Sequence, residues 1–400
     1  MKALVVLALA SPVAAQAAVW VVDDDLGPGA DFADIADAVA AAQAGDVVLI
    51  RPGTYGAAEP LVLSKGLTLV ASAGKGAVTC GRAVVTGLPA GEELVVRGIS
   101  FSTSLDNDIV SLTANEGGVW FEECSFVCKA LFPGPNTGVA VEGSSVVLLR
   151  CSLTGALNSA EGGDGLTVAQ DASAYLYDCD VRGGDGDLGK WGGNGASVLG
   201  SLFASGTSFS GGDGAHSVYV SFLGCFKSGQ GGNGLYIQGQ AHELQCSFQG
   251  GSGGAGSICW GASPPGLPVF YAPGGILLEV PGLVPRAMSA SSPVAEGGTV
   301  GVSLAGAAGD LVFLAFTTGQ DAQFVPGLHG ALLVAQPLTI VPAGVLAPDG
   351  TLDLALPIGA LPPGLEGLSL LGQSLVLSPA GPGFLGAGAS VLVTDSSIVY

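Results

Sequence analysis

Short apolar alternations separated by glycine run through the first two thirds of the chain. No run holds a 3.6-residue period for three turns, so the pattern predicts strands rather than helices. Five segments superimpose on the pattern Cys-x-apolar-x-Gly, with Thr for Cys in the third. They are Cys151-Ser-Leu-Thr-Gly155, Cys179-Asp-Val-Arg-Gly183, Thr207-Ser-Phe-Ser-Gly211, Cys225-Phe-Lys-Ser-Gly229 and Cys246-Ser-Phe-Gln-Gly250. Cys124-Ser-Phe-Val-Cys128 is an earlier member. Upstream of each of the five lies a glycine that opens a strand: Gly138, Gly165, Gly195, Gly214 and Gly234, spaced by 27, 30, 19 and 20 residues. A period of about twenty with insertions belongs to a solenoid. The expected architecture is all-β: a right-handed parallel β-helix whose coils pair at ~4.8 Å. In Cys-x-apolar the two named residues share the inward strand face, so the cysteines form an interior ladder. Buried thiols and disulfides between adjacent coils both suit that spacing. Thr207, which fills one rung without a partner, favours thiols.

Ahead of the coils, Asp34 is placed to cap a helix running to Gln43, with Phe32, Ile35, Val39 and Ala42 on one face. Gly45 stops it, and Asp46-Val-Val-Leu-Ile50 reads as a strand. Such a helix plugs the open end of a coil stack, which otherwise exposes core and strand edges. Asp31-Phe-Ala-Asp-Ile-Ala-Asp-Ala-Val39, Gly45-Asp46, Pro52-Gly-Thr-Tyr55 and Leu67-Thr-Leu-Val70 resemble the N-terminal cap of pectin-lyase-like right-handed β-helix proteins. The resemblance covers the cap and the coils to about Trp260. It implies the fold and does not separate enzymes from members without activity.

From Trp260 the pattern changes. Pro264, Pro265, Pro268, Pro273, Pro281 and Pro285 mark an extended linker over 261–285. Beyond it, Thr299-Val-Gly-Val-Ser-Leu304, Leu311-Val-Phe-Leu-Ala-Phe316, Thr351-Leu-Asp-Leu-Ala-Leu356 and Ser374-Leu-Val-Leu377 alternate between turn residues, as a small β-sandwich does. The expected division is thus a leader over 1–17, a β-helix over 18–260, the linker, and a sandwich over 286–400. Gly-Leu-Ser-Leu-Leu-Gly-Gln-Ser-Leu near the end resembles the C-terminal module of secreted planctomycete-type proteins. That resemblance implies adhesion or plain packing.

Charge narrows the partners. Twelve Lys+Arg against 33 Asp+Glu leave a net charge of −21, which opposes nucleic acid and anionic membrane surfaces. Lys2, the apolar run Ala3–Ala10, Ser11-Pro12 and Ala15-Gln16-Ala17 make a secretory signal. The expected protein is secreted or at the cell surface, with no membrane span. Glycine, 67 of 400 residues, recurs in blocks such as Gly162-Gly-Asp-Gly165, Gly183-Gly-Asp-Gly186 and Gly192-Gly-Asn-Gly195. Turns with φ > 0 account for them, and the spacing of the calcium-binding nonapeptide is not met.

Candidate chemistry lies beside the Cys ladder. The position before it reads Glu123, Arg150, Asp178, Gly206, Gly224 and Gln245, and the position after it reads Ser125, Ser152, Asp180, Ser208, Phe226 and Ser247. Arg150, Asp178 and Asp180 then fall within one coil spacing on an outer face, with Arg182 two residues on. Such a group suits Ca²⁺ binding or acid–base work. It equally suits a solvated ion-pair ladder, which is the favoured reading. Trp191, in the insertion 185–193, is the best aromatic platform for a sugar, and Arg182 accompanies it as a ligand-binding candidate. No catalytic motif, resident metal or cofactor is indicated. Two functions stand. The favoured one is a non-catalytic secreted β-helix acting in surface structure, adhesion or glycan binding. The alternative is a polysaccharide lyase, hydrolase or esterase using Arg150, Asp178 and Asp180.

Overall fold

The computed structural model describes residues 17–398, apart from 57–58, 104–107, 129–135, 158–161, 188, 221–223, 258–259, 281–283, 380 and 382. All of the expected leader but Ala17 lies outside the described residues. Three parallel sheets wind as a right-handed β-helix. Sheet 1 has ten strands, from Val19–Val22 to Ile276–Glu279. Sheet 2 has eight, from Gly53–Tyr55 to Ser247–Gln249, and sheet 3 has eight, from Leu61–Leu63 to Val269–Tyr271. A typical coil takes sheets 3, 1 and 2 in turn through Leu166–Val168, Ser173–Tyr177 and Asp180–Arg182. Its inward residues Leu166, Val168, Ala174, Leu176, Cys179 and Val181 are all buried.

The N-terminal plug is helix α1, Ile35–Ala41, with the Asp34 carboxylate accepting from the Ala36 N–H. Ile35, Ala38, Val39 and Ala42 face the core. The Asp46 carboxylate knots the plug to the first strand by accepting from Ala18 N, Gln43 N and Trp20 Nε1. Among the described residues no helix is long and apolar enough to cross a membrane.

The corner between sheets 1 and 2 explains the residues around the Cys ladder. Gly98, Glu123, Arg150, Asp178, Gly206 and Gln245 all take left-handed φ of 50–78°. Gly98, Glu123, Arg150, Asp178 and Gly206 donate their N–H to a carbonyl of the next coil, as Arg150 does to Tyr177 O at 2.9 Å. Left-handed non-glycine residues cost about 1–3 kcal/mol each, so the stack must over-determine them. The next residue helps. Cys124, Cys151 and Cys179 each donate Sγ–H to the carbonyl two residues back, at 3.3–3.4 Å, and Thr207 does the same through its hydroxyl. A small inward donor is what this corner requires, and Cys or Thr supplies it. Cys80, Cys124, Cys128, Cys151, Cys179 and Cys246 are unbridged thiols. Burial pushes Cys80 and Cys246 up to about 12.

Two parts of the repeat differ from the sequence reading. Sheet 2 pairs Ser208 directly with Ser247, and sheet 3 pairs Ala196 directly with Leu235. Gly214 therefore opens no coil, and Cys225 is no rung. Val218–Val220 and Gly224–Phe226 instead form an antiparallel hairpin inserted in a single coil. The local spelling matches the repeat, but Val218–Val220 pairs back on Gly224–Phe226 and not on a neighbouring coil. Within the proline-rich segment, Val269–Tyr271 and Ile276–Glu279 still pair with coil strands, so the stack continues past Trp260.

The C-terminal module is an antiparallel sandwich. Ala287–Ala290, Thr299–Ala305 and Thr351–Pro357 form one sheet, opposite a six-stranded sheet centred on Gly367–Leu377 and Gly383–Thr394. Thr299–Ala305 alternates exposed and buried as a one-sided strand does. Gly383–Thr394 is buried almost throughout, because its second face lies on sheet 1. Val95, Trp120, Val147, Leu149, Tyr175, Tyr177 and Phe203 of sheet 1 join the sandwich core. A Cβ on Gly388 would stand 2.6 Å from the Trp120 ring, so only glycine permits that approach.

Candidate functional site

With the sandwich on sheet 1, the outer face of sheet 2 remains open. Cross-coil register aligns Thr54, Thr79, Ser100, Ser125, Ser152, Asp180, Ser208 and Ser247 in one file. Seven of these eight positions carry hydroxyls, at ~4.8 Å per coil. The parallel file two residues on reads Ser102, Val127, Thr154, Arg182, Ser210 and Gln249. Asp180 and Arg182 interrupt the two files on one exposed strand. The Ser208 hydroxyl donates to Asp180 Oδ1 at 2.6 Å, and Arg182 pairs with Asp185 at 3.1 Å. The result is a flat strip of short hydroxyls around one carboxylate and one guanidinium.

The structure does not bring Arg150, Asp178 and Asp180 into one site. Arg150 leaves the outer face and enters the junction between the modules. There it donates to the carbonyls of Met288 and Gly388 and pairs with Glu122 and Glu123. The left-handed corner swings its side chain toward sheet 1 rather than sheet 2. Asp178 occupies the same corner, half-buried, close to Gly206 and beside Pro285. Burial raises its carboxyl, with Arg150 pulling the other way. Only Asp180 and Arg182 share the open strip. Trp191 is 62% exposed at the tip of the insertion, where its carbonyl accepts from Gly162 N at 2.9 Å.

The glycine blocks form a second surface, and they are not left-handed turns: in the Gly-Gly-Asp/Asn-Gly blocks no glycine has positive φ. Leaving sheet 2, each of several coils runs out as an extended arm and returns beside it toward sheet 3. Gly184 N donates to Gly163 O, Gly193 N to Gly184 O, Gly212 N to Gly193 O, Gly232 N to Gly212 O and Gly251 N to Gly232 O, all at 2.7–2.8 Å. These bonds join the outgoing and returning layers. Within a layer the bonding repeats every third residue, as in Gly183 to Ser210 and Gly186 to Asp213. A three-residue period is that of the polyproline II helix, and the arms pack as a polyglycine lattice. Glycine is required by close approach. A Cβ on Gly193 would stand 2.0 Å from Gly163 O.

The third position of each block accepts from the next arm. Asp164 accepts from Asn194 N, Asn194 from Asn233 N, Asp185 from Asp213 N and Asp213 from Ser252 N. Those oxygens are occupied by backbone donors, which accounts for Asp and Asn there without calcium.

The buried ion group went unrecognised in the sequence. Glu122 is fully buried and accepts from Trp120 Nε1, Ser390 N and Ser390 Oγ while facing Arg97 and Arg150. Arg97 also pairs with Glu123 and donates to Ala290 O. The available signal was Phe121-Glu122-Glu123-Cys124, a carboxylate on a strand otherwise wholly apolar. No protein-family model matches this chain, and no curated protein does.

Proposed function

We propose that the protein is a secreted, non-catalytic β-helix, of the pectin-lyase-like kind, that holds neutral polysaccharide strands against the open face of sheet 2. The observation that carries this reading is the cross-coil file from Thr54 to Ser247, which bears a hydroxyl at every position but Asp180. Repeated short hydroxyls at the coil spacing offer donors and acceptors to a linear polyol along the stack axis. Neutral chains suit a protein of −21 charge better than polyuronates do. Arg182 and Asp180 supply charge-assisted bonds in the middle of the strip, and Trp191 offers a stacking surface at its margin. The catalytic alternative loses its cation, because Arg150 is engaged at the module junction.

The test is a polysaccharide array read for retained protein and for newly released chain ends. The expected outcome is binding without release, weakened about tenfold or more by Asp180→Ala combined with Arg182→Ala. Release of chain ends by the wild-type protein, lost in Asp180→Asn, would replace this reading with the enzymatic one.

A further inference from the structure

Away from the open strip, a hairpin of the sandwich, Gln320–Phe324 paired with Ala331–Val334, lies across the outer face of sheet 1. Phe324 packs on Tyr175, Phe203 and His242 with centroids 5.1–6.1 Å apart. Tyr175 donates its hydroxyl to Ala322 O at 3.2 Å. At the near end the Gln320 side chain donates Nε2–H to Val119 O. Its amide oxygen has no partner, and neither does Glu93 Oε2; both atoms are buried. They converge on one spot. A Cβ on Gly118 would stand 2.1 Å from Glu93 Oε2 and 3.0 Å from Gln320 Oε1. Two acceptor oxygens, shut from water on either side of a module junction, approach the same point with no donor for either.

We propose that Glu93 is a proton-operated latch: protonated at Oε2, it donates to Gln320 Oε1 and fastens the hairpin to the coil stack, and ionised, it releases it. Burial pushes the Glu93 carboxyl up to about 7; the Gln320 N–H that reaches it opposes the rise, and Asp321 adds to it. The other charged neighbours are engaged elsewhere. Glu92 accepts from Gly66 N, and Lys65 donates to the Ala42 carbonyl. Glu116 lies in the turn held by Leu88. Beneath the hairpin, burial raises Tyr175 and lowers His242. Protonation of His242 therefore loosens the far end in acid, the opposite sense to Glu93. With its fastened-state pKa raised above the ordinary 4.5, Glu93 contributes fully below 4.5. Its contribution fades as pH rises toward about 7 and is gone above it.

Hydrogen exchange of the full chain, corrected for intrinsic rates, tests this. Protection of the hairpin amides relative to those of Gly367–Leu377 is expected to fall by up to about tenfold per pH unit between 4.5 and about 7. In Glu93→Gln, whose amide donates at every pH, the same ratio is expected to lose that fall and stay high at pH 8. Carboxyl ¹³C titration of the wild type gives the second reading, with a Glu93 midpoint near 7. An equal fall in Glu93→Gln, or a Glu93 midpoint near 4.5, would overturn the latch.

Discussion

Asp178 shows how a single φ value redirects a side chain. Placed before the Cys rung, it was expected to face outward beside Asp180, and the left-handed corner turns it toward Gly206 of the next coil instead. Its raised carboxyl means that the folded state resists its ionisation. That contribution is whole below the unfolded pKa and is lost as pH climbs through the folded one. Asn tolerates the left-handed region well and carries no charge to desolvate. Asp178→Asn is therefore expected to raise stability at pH 7, by up to ~1 kcal/mol, and to leave stability at pH 3 unchanged. Urea unfolding at the two pH values checks both halves. Arg150, one coil away, is the contrary case: its strain is held by four partners that the sandwich and Glu122–Glu123 provide.

Among the elements, the coil strands and the helical plug were legible in the sequence because their signals are local. A Cys two residues from an apolar residue fixes which face is inward, and Asp34 marks a helix start. The Cys225 segment carries the same local spelling, yet it falls in a hairpin, because coil membership depends on which strand a segment pairs with and not on the rung itself. The open strip was half legible. The serines after Cys124, Cys151 and Cys246 were visible, but their isolation from Arg150 depended on a corner conformation that no spacing reveals. The glycine arms were seen and misread, since glycine serves positive φ and close packing alike. The two uses separate on mutation. Gly193→Ala should cost more than ~3 kcal/mol or melt the arms locally, because its Cβ meets only backbone. Gly261→Ala, with open space around it, should change stability by less than ~0.5 kcal/mol. Denaturant midpoints of the two variants decide the matter.

For the molecule as a whole, the sandwich and the coil stack share one apolar core and one buried ion group. Sheet 1 gives Trp120, Tyr177 and Phe203 to that core, and Glu122 is reached by donors from both modules. Glu122→Gln leaves Arg97 and Arg150 with Glu123 as their shared carboxylate in the junction. It is expected to cost up to about 3–5 kcal/mol and to split unfolding into two steps, where the wild type is expected to show one. Comparing indole fluorescence, sensitive to Trp120, with far-ultraviolet dichroism along a urea series shows whether the steps coincide. The position of the sandwich also decides which faces meet the surroundings: it covers sheet 1 and leaves sheets 2 and 3 and the glycine arms to do so.

The glycine arms bury peptide groups and almost no hydrocarbon, and this gives them a thermal character of their own. Unfolding of the apolar coils exposes hydrocarbon to water and raises the heat capacity. Exposure of peptide groups lowers it. The coils accordingly lose driving force on cooling, as any hydrophobic core does. The arms, held by a lattice of backbone hydrogen bonds, escape that loss. Theirs is the part of the molecule that cold leaves firm, and heat is what loosens it.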